Sequence, residues 1–289
     1  MEKLSLRKSP WQVKIIIVVF LIFFVALAIF HIFPFLWALL NSFKTGEQYF
    51  DDSFAFPEEW RFVNYVKVFT EFKVRGFYYA DMLFNSLWIL VVSVVANVAA
   101  SALLAYPIAR YEFPGKQLLY SIVIFANIIP IIGAGPARFK MMDAFGMINN
   151  PATIWFSWAS GFDFAFIVFY GAFRGISQTY SEAAKLDGAS DFCVFIKIIL
   201  PQAFPCIVAI AIQQAMGVWN DYSRSMVYLR DYPNLAYGLY LFHTEANYIE
   251  DSKPIYFAAA VISSIPVIVL YASSQKLILT NITAGGLKG

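Results

Sequence analysis

Residues 182–201 read EAAKLDGASDFCVFIKIILP. They form a polar helix, a glycine break, an amphipathic helix and a proline. The stretch lies between two apolar runs long enough to cross a membrane, near 152–173 and 203–222. Glu182, Ala183, Ala184, Lys185 and Leu186 are good helix formers. Ser181 can cap that helix, with Glu182 where the helix dipole favours negative charge. The two alanines leave a low surface that another protein can approach closely. Gly188 can take the left-handed conformation that ends a helix. Ser190 or Asp191 can cap a second helix. In it Phe192, Phe195, Ile196 and Ile199 stand at i, i+3, i+4 and i+7, one apolar stripe able to lie flat against the ends of the spans. Lys197 falls off that stripe, Pro201 stops the helix, and Pro205 marks the start of the next span. A loop with this much internal structure at a membrane surface is built to be gripped. Helix chemistry alone serves an ordinary amphipathic connector equally well.

Around this loop the chain is apolar. Of 289 residues, 60% are hydrophobic and 14% charged, and mean hydropathy is +0.63. Soluble domains carry about 25% charged residues, so this is an integral membrane protein. Thirty Phe and seven Trp suit lipid-facing and interfacial positions. A formal net charge of +2 provides no concentrated basic field and argues against a nucleic-acid partner. About six apolar stretches, near 15–41, 84–109, 117–137, 152–173, 203–222 and 255–278, are long enough for spanning helices of ~20 residues. Lipid leaves no partner for open backbone groups, so the spans must be helical. The predicted architecture is all-α, with six transmembrane helices in one membrane domain over residues 1–289 and a loop at 174–202. Lys3, Arg7, Lys8 and Lys14 precede the first span and place both ends in the cytoplasm by the positive-inside rule. The apolar run behind them continues to about Leu40, too long for the h-region of a signal peptide, and reads as an uncleaved first span. Residues 42–83 and 223–254 are then external, and 174–202 is cytoplasmic.

Catalytic and metal-binding patterns are absent from the sequence. Cys193 and Cys206 match no metal spacing and read as small apolar residues. The two histidines belong to no His/Glu cluster or Ser/His/Asp set. No G-x-x-x-x-G-K-[ST] occurs, so the chain has no phosphate loop of its own. Asn127, Gln213, Gln214 and Asn220 lie in or at the ends of spans. Neutral amides there suit sugar hydroxyls along a translocation path, and equally serve helix–helix bonding. Trp155, Trp158 and Trp219 read as interfacial anchors or as platforms for sugar faces. Asp163 falls in the fourth apolar stretch, where an acid is a functional candidate, although one lone acid fits proton coupling poorly. No internal repeat and no paired broken spans are visible, which weakens an inverted-repeat secondary transporter.

The loop resembles the EAA motif of binding-protein-dependent ABC importer permeases. Glu182, Ala183, Ala184, Asp187, Gly188, Ala189, Ile198, Leu200 and Pro201 stand in its register. The resemblance runs along nearly the whole chain. It takes in Pro34, Trp37 and Ser42-Phe43-Lys44, then Asn64-Tyr65 and Asn85-Ser86-Leu87, then Ala105-Tyr106, Ala109-Arg110-Tyr111 and Phe113-Pro114-Gly115-Lys116, and Trp219-Asn220-Asp221. Residues 282–289 resemble the tail of the carbohydrate-uptake branch, which includes the smaller maltose-transporter permease. Pro107 and the Gly133/Gly135 pair are less typical.

The resemblance implies a type I importer permease, one of two permease subunits in a prokaryotic plasma membrane. It implies two separate ATPase subunits that bind ATP and Mg, and an external solute-binding protein. This chain would bind no cofactor and no metal, and would convert ATPase closure into alternating access. Glu182, Ala183, Ala184, Leu186, Asp187 and Gly188 would form the coupling helix that docks on an ATPase. Gly285, Gly286 and Lys288 would reach the ATPases from the tail. The tail favours a di- or oligosaccharide cargo. A polyol, phosphodiester or peptide cargo remains open, as does an ATP-independent transporter, while the missing catalytic set argues against a membrane enzyme.

Overall fold

A computed structural model describes residues 10–129, 133–245 and 251–286, with side chains described to residue 275 except at position 154. The chain divides into two compact units: residues 1–72 with 242–262, and residues 73–241 with 263–289.

In the first unit α1 (Trp11–Asn41) is a 31-residue helix, and no residue of its apolar span is buried by the rest of the chain. The chain then turns through α2 (Gly46–Asp51), capped by Thr45, whose Oγ1 accepts from the Gln48 N–H at 3.0 Å. It continues into α3 (Val63–Thr70). Buried polar groups tie this segment together. Asn64 Nδ2 donates to the carbonyls of Ser42 (2.9 Å) and Lys44 (2.8 Å), and the buried Lys44 donates to the Asp52 carbonyl at 2.9 Å. Asp251 accepts from the Gly46 N–H (2.9 Å), Lys67 Nζ (3.0 Å) and Arg61 Nη1 (3.4 Å). Burial by itself would raise the Asp251 carboxyl, but the Gly46 N–H and the two cations outweigh it and hold its pKa below the ordinary value.

The second unit opens with a short antiparallel hairpin, β1 (Lys73–Val74) and β2 (Phe77–Tyr78), with Lys73 opposite Tyr78. The 32-residue α4 (Tyr79–Arg110) follows, and Asp81 accepts from the Tyr78 N–H at 2.9 Å at its start. Met82, Ser86, Ile89, Ser93, Asn97, Ser101 and Ala105 recur every three or four residues and form its buried face. These are mostly small or polar residues, which let helix backbones approach closely in lipid. Phe84, Leu87, Val91, Val95 and Leu103 point outward and are exposed. α5 (Lys116–Ile128) starts behind Gly115, and α6 (Ala134–Ala144) starts behind Gly133. α7 (Phe164–Gly175), α8 (Gln178–Leu186) and α9 (Asp191–Val194) follow, then a π-helical turn (Phe195–Ile199) and α10 (Leu200–Gln202). α11 (Phe204–Asn220), α12 (Tyr222–Tyr228), α13 (Leu235–Glu245) and α14 (Ser252–Gly286) complete the chain, with residues 242–262 of the last two belonging to the first unit. α4 packs against both α7 and α11.

The predicted helical membrane fold is present, but several boundaries differ. Among the described residues three helices are long and apolar enough to span: α1, α4 and the Ser252–Gln275 part of α14. The segment Asp191–Gln202 and α11 make a fourth if read as one broken span, and α5 and α7 are apolar but shorter. The stretch expected as a helix over 117–137 is helical to Ile128, and a separate helix starts at Ala134. The stretch expected over 152–173 is turn and 3₁₀ helix (Ile154–Ser157) before α7 begins at Phe164. Gly161 explains part of this. Its φ is +68°, and a Cβ there would run into the Leu104 side chain and touch Ala100, so the non-helical chain lies directly on α4.

Candidate partner-docking site

The motif loop is built from α8, a glycine corner and the helical run from α9 to α10. α8 begins at Gln178, and Ser177 is its cap, accepting from the Thr179 N–H at 3.4 Å. The expected cap, Ser181, lies inside the helix, and Glu182 stands beyond its first turn. The helix closes at Asp187. Gly188 turns the chain with φ +84°, its N–H donating to the Lys185 carbonyl at 3.0 Å, and the Ala189 N–H donates to the Ala184 carbonyl at 2.9 Å. This is the glycine-terminated end the sequence predicts. Ser190 caps α9, accepting from the Cys193 N–H at 3.3 Å.

No residue of α8 is buried. Leu186 is 89% exposed, and Glu182, Ala183, Asp187 and Gly188 are exposed around it. Ala184 is half-buried and packs toward the core. The α9–α10 run lies at 75° to α11, so it crosses the end of that helix rather than extending it. Its apolar stripe differs from the expected one. Val194, Phe195 and Ile199 are buried against α4 and α7 residues, whereas Phe192 and Ile196 are exposed. The buried side is centred on Val194, Phe195 and Ile199, and the chain runs through a π-helical turn from Phe195 to Ile199.

Two residues at the end of α4 hold this loop. Arg110 Nη1 donates to the Ile176 carbonyl (2.6 Å) and the Phe173 carbonyl (3.3 Å) at the C-terminus of α7, the latter also accepting from the Ile176 N–H. Arg110 Nη2 donates to Ser181 Oγ (2.7 Å) and the Ser177 carbonyl (3.4 Å) in α8 and its cap. One rigid guanidinium fork therefore ties three helices. Tyr111 holds the other end. Lys185 lies over its ring, 5.4 Å from the centroid, and pairs with Asp191 Oδ1 at 2.6 Å. The Tyr111 hydroxyl bonds Tyr106 at 3.2 Å and also the Asp191 carboxylate. Burial first, and then Tyr106 and Asp191, push the Tyr111 phenol up, so it remains a donor; Lys185 first, and then Tyr111, hold Asp191 below its ordinary value. The sequence marks Arg110 and Tyr111 only as matching positions. Their role was hidden because their partners lie some 70 residues away.

The other candidates are placed as follows. Asn127 Nδ2 donates to the carbonyls of Val123 (2.9 Å) and Phe162 (3.2 Å), and Asn220 Nδ2 to the Met216 carbonyl (2.9 Å). Gln213 is exposed on α11 and Gln214 half-buried. Gln213 and Asn220 thus share an exposed side of α11, seven residues apart. Asp163 caps α7: its Oδ1 accepts from the Ala165 N–H and Ser101 Oγ, both at 3.1 Å, and its Oδ2 from Asn97 Nδ2 at 2.6 Å. That acid is a joint between α4 and α7. Trp158 is buried, with the Arg224 guanidinium over its ring at 5.2 Å, and Trp219 Nε1 donates to the Ser263 carbonyl at 3.1 Å. Both indoles are buried. Gly285 and Gly286 end α14, and Lys288 lies outside the described residues.

Known proteins identify the family. Residues 97–283, more than half of the chain, match the family described as binding-protein-dependent transport system inner membrane component. The diacetylchitobiose uptake system permease protein NgcG of Streptomyces coelicolor is 30% identical over 88% of this chain and 83% of its own. The arabinooligosaccharides transport system permease protein AraQ of Halalkalibacterium halodurans is 27% identical over 92% of this chain and 94% of its own. One chain in the crystal structure of a bacterial ABC transporter involved in import of the acidic polysaccharide alginate superposes with a TM-score of 0.80 at 24% identity, over 93% of this chain and 98% of that one.

Proposed function

The chain belongs to the family of inner membrane components of binding-protein-dependent transport systems, and from that premise we propose that it is one of two permease subunits of an ATP-driven importer for a di- or oligosaccharide. Six spans with both ends cytoplasmic put α8 on the cytoplasmic side. There Leu186 and the surface of Glu182, Ala183, Asp187 and Gly188 seat in one of two ATPase subunits, which bind ATP and Mg. An external binding protein delivers the sugar. Closure of the ATPases moves α8, and α4 and α7 move with it because Arg110 ties all three. The two access states differ in how the spans pack, and the ATPases bias the choice between them. Gln213, Gln214 and Asn220 on α11, with Asn127 on α5, contribute amides to the path.

The observation that carries this reading is the helix with no buried residue and an 89% exposed leucine, pinned at both ends by Arg110 and Tyr111. A surface helix held that firmly, with its apolar residue turned outward, is supported as a docking element. The oligosaccharide cargo rests on the named substrates of the relatives. The test is reconstitution of the permease pair, ATPases and binding protein in proteoliposomes. Labelled oligosaccharide should accumulate only with internal-face ATP, and Leu186→Asp should reduce binding-protein-stimulated ATP turnover at least about tenfold, the equivalent of ~1.4 kcal/mol. Accumulation driven by an ion gradient without ATP would overturn the reading.

A further inference from the structure

Between α1 and the β-hairpin the first unit carries an aromatic surface that its own fold leaves open. Phe50, Phe54, Phe56, Trp60, Phe62 and Val66 are each between 53% and 74% exposed. None lies in a span. α3 buries Asn64, bonded to the Ser42 and Lys44 carbonyls, together with Val68, and leaves Val63 and Val66 facing out beside Phe62.

The position of this surface identifies what covers it. Phe54 stacks on Phe33 and lies against Trp37 (ring centroids 6.5 and 6.1 Å), both in the last turns of α1. Phe43, two residues past the end of α1, gathers Trp60 and Phe62 (both 5.1 Å). The aromatic groups therefore ring the end of a spanning helix. A helix of 31 residues is about 46 Å long at ~1.5 Å per residue and outruns a ~30 Å hydrocarbon core. Its last turns thus lie at headgroup depth, where Trp and other amphipathic aromatics concentrate. The surface is continuous with α1, in whose apolar span no residue is buried. The same segment has a second, acidic side: Glu47, Asp51 and Glu58 line a separate concavity with Gln48 and Asp52. An apolar side and an acidic side on one segment at a span end are the layout of an interfacial collar, with the acids turned to water.

We propose that residues 50–66 lie on the bilayer surface at the C-terminal end of α1, with Phe50, Phe54, Phe56, Trp60, Phe62 and Val66 inserted among the lipid headgroups and upper acyl chains. The collar fixes the height of α1 in the membrane, and it is independent of cargo and of ATP coupling. The test uses the assembled importer in nanodiscs of phosphatidylcholine and phosphatidylglycerol, with Cys193 and Cys206 replaced and a nitroxide placed by Phe62→Cys, Val66→Cys or, as a control, Glu58→Cys. At 62 and 66 collisions with oxygen should exceed those with a water-soluble nickel complex, and at 58 the order should reverse. Nickel accessibility at 62 and 66 equal to that at 58 would place the surface in water and overturn the proposal. Shielding of 62 and 66 from both reagents would assign the surface to a protein neighbour and also overturn it, as would shielding that arises only when binding protein is added.

Discussion

Gly188 holds its backbone at φ +84° with nothing within 4 Å of where a Cβ would stand. The requirement is conformational rather than steric. A β-branched residue there carries the left-handed penalty of roughly 1–2 kcal/mol, and asparagine tolerates that region better. Gly188→Val should therefore assemble yet lose most of its binding-protein-stimulated ATP turnover and uptake, while Gly188→Asn retains an intermediate level. Wild-type coupling in purified Gly188→Val would remove the glycine corner from the mechanism. This corner was legible in the sequence because so few residues take positive φ willingly. The cap of α8 was not. Ser177, Thr179 and Ser181 stand within one turn of each other, and the hydroxyl of Ser181 is engaged by Arg110, 71 residues earlier. Asp163 shows the same limit. Its residue type in an apolar stretch suggested function, whereas its partners Asn97, Ser101 and Ala165 make it a cap and a joint.

At the scale of elements, the helix–glycine–helix grammar was readable, and the face each helix buries was not. The apolar stripe admits more than one burial side, and packing against α4 and α7 chose Val194, Phe195 and Ile199 over Phe192 and Ile196. The fourth apolar stretch misled in a similar way. Composition measured its length, but Gly161 and the Asp163 cap decided where helix begins. The clamp made by Arg110 yields a prediction at this scale. Arg110→Gln removes the fork that reaches the α7 carbonyls and Ser181 together, and a polar group stripped of its partner costs about 1–3 kcal/mol where it is shielded from water. Amide hydrogen exchange in residues 178–186 should quicken, with α4 unchanged, and sugar transported per ATP hydrolysed should fall while the complex still assembles. Arg110→Lys should recover little, since a single ammonium cannot span both helices. Unchanged exchange across α8 in Arg110→Gln would refute the clamp.

For the whole molecule, 14% charged residues and long apolar runs were sufficient for a helical membrane protein, whereas its division into two units depends on which distant segments pack and no local pattern announces it. The last span was expected to end near 278 with a tail behind it. Instead α14 continues as helix to Gly286, 35 residues in all. At ~1.5 Å per residue that is about 52 Å, well beyond a ~30 Å core. The helix thus runs on past the bilayer on the side we propose to be cytoplasmic. This changes the energetics of the tail. A solvated stub would lose about 1–2 kcal/mol of backbone entropy per residue on docking, while a segment already helical through Gly286 has little left to lose. Deleting residues 285–289 should accordingly lower ATP turnover, or the sugar transported per ATP, without reducing recovery of the assembled complex by size exclusion. A deletion confined to Lys288 and Gly289 should give a smaller loss, because the helical end is kept. If both truncated complexes hydrolyse ATP and take up sugar at the wild-type rate, the tail makes no productive contact with the ATPases, and coupling passes through α8 alone.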